Sequence, residues 1–234
     1  MIEPKDIPTT EVSWGRATRI IPSRFPPVGP FDRVSDPKEL ESVFAIEAMT
    51  NSRLEEEWGK LSLVPEEDRV SGPGTTPIMA AFTHPNPSGT RFSTSEFGVY
   101  YAARGIDTAI IETVYHRERF FRAFQSPATE IDMRVYYAAI NTELYDLRGL
   151  SESEPWIYDP DPRHYPRTQA LAVSLRDNGA HGIIYNSVRH PGGECIAIFR
   201  PCIISPCRQG EHFAYRWDGK SIADVYKKER YEPR

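Results

Sequence analysis

A chain of 234 residues has room for one large domain or two small ones, and at 39% hydrophobic it can bury a substantial core. Its 28 basic residues are outnumbered by 33 acidic ones, a formal net charge of -5, which argues against broad, direct nucleic-acid binding. No run approaches the ~20 apolar residues that a membrane span needs, and the opening MIEPKDIPTTEVSW is acidic and proline-bearing, so it is not expected to act as a secretory signal. Twenty-one prolines and fifteen glycines predict short elements and long loops, while twelve tyrosines and eleven phenylalanines suit a sheet-containing core. Cys195, Cys202 and Cys207 are odd in number and lack CxxC spacing. They read as reduced thiols of a cytoplasmic protein, with no metal site.

In chain order, residues 1–13 read as a loose N-terminal arm. Trp14 to Ile21 reads as a first strand stopped by Pro22, with Arg19 inside it, and Phe25 to Pro30 must be extended loop. Asp36 caps a long helical stretch that reaches Trp58, with Pro37 at its first position and a break foreseen at Asn51. The breaker-rich segment 65–77 reads as a loop, flap or linker, and Ile78 to Phe82 as a short apolar strand. Arg91 follows in a Ser/Thr/Gly-rich loop. Gly98 to Ala103 reads as a strand bearing Tyr100 and Tyr101, and Asp107 as the N-cap of a helix running to about Phe124 with Glu112 in its second turn. Arg134 to Asn141 is strongly β-prone, Tyr158 to Pro166 irregular, and Arg167 to Asn178 an amphipathic helix closed by Gly179. Gly182 to Val188 and Cys195 to Arg200 form a β-hairpin around HPGGE. Phe213 to Trp217 is expected as an edge strand, and the charged tail 219–234 as fraying.

Two polar spots stand out. Arg91 offers a planar fork of donors that fits phosphate oxygens. Tyr101 offers a stacking face and a hydroxyl, and Glu112 a fixed charge for an oxocarbenium-like sugar. A surface arginine, a half-buried tyrosine and a helix-surface glutamate account for the same spacing. In the second spot, Asn186, Ser187 and Arg189 interrupt an apolar strand. The Ser187 hydroxyl could hold a ribose or phosphate and Arg189 could anchor an anion, or the segment is simply the wet end of a hairpin. Glu112 and His116 stand one helical turn apart without a third metal ligand, which reads as a helix-surface hydrogen bond. No GxSxG, GxGxxG or GxxxxGK[ST] pattern occurs.

Four segments together resemble the RES-domain family, the toxins of RES–Xre toxin–antitoxin pairs. They are ATRIIPSRF with Arg19, GTRF with Arg91, GVYYAARGIDTAIIE with Tyr101 and Glu112, and HGIIYNSVRHPGGECIAIF with Ser187. The resemblance runs from about Trp14 to about Pro201. It implies a single α+β domain, residues 14–218 with a helix-and-loop insert at 36–77, built on a split, mostly antiparallel β-sheet flanked by helices and similar to the ADP-ribosyltransferase toxin core. It also implies NAD as substrate and cleavage of the nicotinamide–ribose bond, with ADP-ribose passed to water or phosphate. On that reading Arg19 and Arg91 grip the pyrophosphate, Tyr101 packs at the nicotinamide end, Glu112 stabilises the ribosyl cation and Ser187 positions the ribose. The implied partner is an Xre/HTH-type antitoxin, and self-association stays open. ADP-ribosylation of a protein target and non-enzymatic nucleotide binding are the alternative functions. Two departures are visible: Gly193-Glu194-Cys195 stands where the family often has an asparagine, and the insert between Arg24 and Arg91 is long.

Overall fold

Two long strands carry the molecule. In the computed structural model, which describes residues 2–22, 29, 31–48, 58–229 and 231, β1 (Thr9–Pro22) lies antiparallel to β3 (Thr129–Asp146), from Thr9 opposite Tyr145 to Pro22 opposite Met133. Along β3 the side chains alternate strictly. Met133, Val135, Tyr137 and Tyr145 enter one hydrophobic cluster, and Tyr136, Ala138, Ile140 and Leu144 enter another. A strand apolar on both sides must be covered on both sides.

The remaining strands are β2 (Tyr100–Ala103), β4 (Gly182–Asn186), β5 (Glu194–Ile198), β6 (Arg208–Trp217) and β7 (Ile222–Lys228), giving the order β1-β2-β5-β4-β3-β6-β7. Every pairing is antiparallel except β3 with β4. Thr18 is opposite both Tyr137 of β3 and Ala103 of β2, so the first five strands in that order curl back on themselves, and β6 and β7 extend from β3 as a wing.

Two helical layers cover the sheet. On one face, Leu40 of α1 (Leu40–Ala48) and Ile78, Met79 and Phe82 of α2 (Thr76–Thr83) pack with Phe31 and Trp58. On the other, Ala109 of α3 (Ile106–Ala123) packs with Leu171, Ala172 and Leu175 of α4 (Tyr165–Asp177). The chain is thus an α+β domain with a mostly antiparallel sheet flanked by helices. The apolar period of α4 and Gly179 just beyond it, at φ 78°, behave as the sequence requires.

Several elements differ from expectation. The supposed N-terminal arm becomes strand at Thr9, because β3 supplies pairing partners out to Tyr145. Ile78 to Phe82 is helix, not strand. The Asp32 carboxylate accepts from the Thr76 amide at 2.8 Å and so caps α2 from 44 residues away, a partner no local window contains. The N-cap of α3 is Gly105, and Asp107 lies within the first turn. Phe124 is exposed rather than part of the buried stripe of α3. The 65–77 segment is not a linker: Arg69 is buried and bonded to Val64 O and Glu41, Asp68 meets Arg200, and the Cys207 amide donates to Gly74 O. β6 is not an edge strand, because the tail expected to fray forms β7 alongside it. The Asp36 cap is present, through its bond from the Lys38 amide at 3.0 Å, while the foreseen break at Asn51 and the loop 25–28 lie outside the described residues.

Candidate active site

The β4–β5 hairpin and α3 meet along a row of polar side chains. Residues four apart on a helix share a face, and Thr108, Glu112 and His116 are spaced in that way. Thr108 Oγ1 is 2.8 Å from His190 Nδ1, and one turn on Ser187 Oγ donates to Glu112 Oε1 at 2.5 Å. Ser187 is itself held. Its amide donates to Gly193 O at 2.7 Å, and its hydroxyl oxygen accepts from the amides of His190 (2.9 Å) and Arg189 (3.2 Å). The serine at the hairpin's end is therefore a buried bridge between turn and helix. Asn186 beside it donates to Arg148 O at 3.1 Å.

The loop before β2 is fixed as firmly. The Tyr101 hydroxyl accepts from the Phe92 amide at 2.9 Å and shares a 2.6 Å bond with Thr90 Oγ1. From α4, Thr168 Oγ1 donates to Arg91 O at 2.5 Å and Gln169 Nε2 to Thr90 O at 2.9 Å. Between these ties the Arg91 guanidinium is buried. Its Nη1 donates to Ile157 O at 2.7 Å, and it lies over the Tyr165 ring at 4.7 Å. Burial pushes the Tyr101 hydroxyl up to about 12, against the opposing pull of Thr90, Phe92 and the Arg91 charge, so it stays a neutral phenol.

Tyr185 of β4 shows that the loop and the helix serve one place. Its ring meets Phe92 edge-on at 5.0 Å. Its hydroxyl is pushed well above the usual range by burial, Cys195 and the Glu112 charge, while Arg91 opposes that rise. Arg189 stands at the rim, half-buried, with its guanidinium 3.6 Å from the Tyr115 ring centre and Nη2 donating to Pro160 O at 2.8 Å. Arg91, Tyr101, Glu112, Ser187 and Arg189 thus gather on one face of the sheet. Among the described residues neither Arg91 nor Arg189 forms an ion pair, so neither guanidinium charge is offset by a carboxylate partner.

Arg19 is set apart from this group. It lies over the Tyr100 ring at 4.8 Å, and Tyr100 belongs to the opposite core cluster from Tyr101. Its Nη1 donates to Tyr101 O at 3.1 Å, tying β1 to the backbone of β2, and its Nε is buried without a hydrogen-bond partner among the described residues. The expected Glu112–His116 hydrogen bond is absent, because Nε2 and Oε2 are 4.0 Å apart. Glu194, at the position where the chain departs from the family pattern, is locked by Arg104 at 2.5 Å and by Arg148. Among the described residues no group of three or more His, Cys, Asp or Glu side chains could hold a metal ion, and no helix is long and apolar enough to cross a membrane.

Sequence reasoning missed Thr90, Thr108, Thr168, Tyr185 and His190. The four-residue spacing of Thr108, Glu112 and His116 was a usable signal. The partners of Thr90 and Thr168 come from distant segments and left none.

A family model described as RES domain matches residues 67–218. An uncharacterized protein of Sinorhizobium fredii, y4oC, is 29% identical over 214 residues, covering 89% of this chain and 85% of its own length. The crystal structure of the M. tuberculosis MbcT-MbcA toxin-antitoxin complex is a distant likeness, with TM-score 0.45 and 12% identity over 90% of this chain and 87% of that one.

Proposed function

The chain belongs to the RES domain family, and on that premise we propose that it is an NAD-consuming toxin of a toxin–antitoxin pair that breaks the bond between nicotinamide and ribose. ADP-ribose passes to water or phosphate, growth is inhibited by loss of NAD, and an Xre/HTH-type antitoxin holds the enzyme in check. The observation that carries this reading is the Ser187–Glu112 bridge at 2.5 Å on the same sheet face as the fixed guanidinium of Arg91.

Breaking the N-glycosidic bond leaves positive charge on the sugar carbon and its ring oxygen. A carboxylate already oriented at that position need not reorganise as the charge develops. Ser187 holds one oxygen of Glu112 in place and leaves the other for the sugar. Arg91 supplies the planar donor fork for the diphosphate, with Arg189 as a second cation at the rim. Tyr101 acts as a positioning residue, because its hydroxyl ties down the residues on either side of Arg91. Arg19 is left out of this assignment, since its guanidinium sits on the other side of β2.

The test is release of nicotinamide from NAD by the purified protein, with and without phosphate. Arg91→Ala and Glu112→Ala are each expected to lower release about 100-fold or more, with circular dichroism unchanged. Turnover retained in either variant removes that residue from its role. Mass spectrometry of treated lysate distinguishes transfer to protein, and a wild type that releases no nicotinamide is a binding module instead.

A further inference from the structure

The third member of the polar row on α3 has no partner in the hairpin. Thr108 is taken by His190 and Glu112 by Ser187. His116 Nε2 faces the remaining oxygen of Glu112 across 4.0 Å, too far for either group to consume the other. Exposure rises outward along the row. Ser187 is buried, the Glu112 side chain is 22% exposed and that of His116 51%. Solvent therefore reaches the carboxylate from the histidine end. The charged groups that face the imidazole are Glu112, Arg117 and Arg119 on α3, Arg189 from the hairpin turn and Arg91 from the loop before β2. Burial and the positive charges of the four arginines hold the imidazole below its ordinary range, so it is a free base at neutral pH. With half the side chain open to water, the guanidinium charges are the firmer cause.

We propose that His116 is the base that takes the proton from the acceptor water as it attacks the ribosyl carbon, an inference that rests on the NAD-cleaving reading above. A lone pair of the water oxygen forms the bond to the sugar carbon as the bond to the nicotinamide nitrogen breaks. The electron pair of that bond stays on nicotinamide, which leaves neutral. The proton shed by the water goes to His116 Nε2, the Glu112 carboxylate faces the imidazolium so formed, and the exposed ring returns the proton to solvent. The two side chains divide the work: Glu112 meets the sugar cation and His116 the incoming nucleophile.

The experiment compares wild type and His116→Gln with water and with azide as acceptors, following nicotinamide release and the ADP-ribosyl product. Azide carries no proton to remove. With water the variant is expected to lose about 100-fold in kcat, with KM for NAD changed less than about 3-fold. With azide it should match wild type within about 3-fold. His116 is exposed, so an unchanged melting temperature checks that the fold is kept. Equal losses with both acceptors, or no loss with water, overturn the proposal. A wild type that releases no nicotinamide with either acceptor overturns the NAD reading on which it stands.

Discussion

The hydroxyl of Tyr101 reaches both neighbours of Arg91, meeting Thr90 Oγ1 and the Phe92 amide. Phe92 is fully buried, so its N–H has no ready substitute. Tyr101→Phe keeps the ring and removes the oxygen. It should cost about 1–3 kcal/mol by urea denaturation, the penalty for a buried donor left unpaired. KM for NAD should rise more than kcat falls, because the loop that aims Arg91 loosens. Unchanged stability would mean that the amide finds another acceptor. The sequence made Tyr101 a stacking plate. Its anchoring role was not legible, since the hydroxyl's partners lie in a loop whose path depends on α4. Ser187 and Glu112 were legible as candidates one by one, but not as a bonded pair 75 residues apart.

At the scale of elements, the features read correctly from sequence carry their cause within a few residues. The Asp36 cap, the amphipathic period of α4 with Gly179 behind it, and the β4–β5 hairpin are all of this kind. α2 failed because a five-residue apolar run does not distinguish strand from helix, and its cap, Asp32, is remote. The packing of α2 against the start of β2 then depends on Gly98. A Cβ there would stand 2.1 Å from Ala81 O and 2.4 Å from Phe82 Cα, both backbone atoms of the helix. Gly98→Ala is therefore expected to destabilise the protein by about 3 kcal/mol or more, because rigid main chain must shift to admit one methyl. A urea midpoint within error of wild type would show that α2 moves aside freely.

At the scale of the molecule, strand order was not legible, because it is fixed by pairings such as Thr9 with Tyr145 that only the folded chain creates. The α+β class and the grouping of the site on one sheet face were within reach of pattern and motif. The separation of Arg19 from that face was not. Joining β1 to β2 rests on one rung, Thr18 with Ala103, backed by the Arg19 guanidinium on Tyr101 O. A curled sheet fastened so lightly has a clasp there, the point at which it opens most readily. Arg19→Ala should speed amide exchange across Tyr100–Ala103 about 10-fold while leaving the β3–β6 ladder as slow as before. Tyr101 belongs to those four residues and holds the segment that aims Arg91. A fastening on the far side of the sheet would thus decide how steadily the near side holds the Arg91 guanidinium.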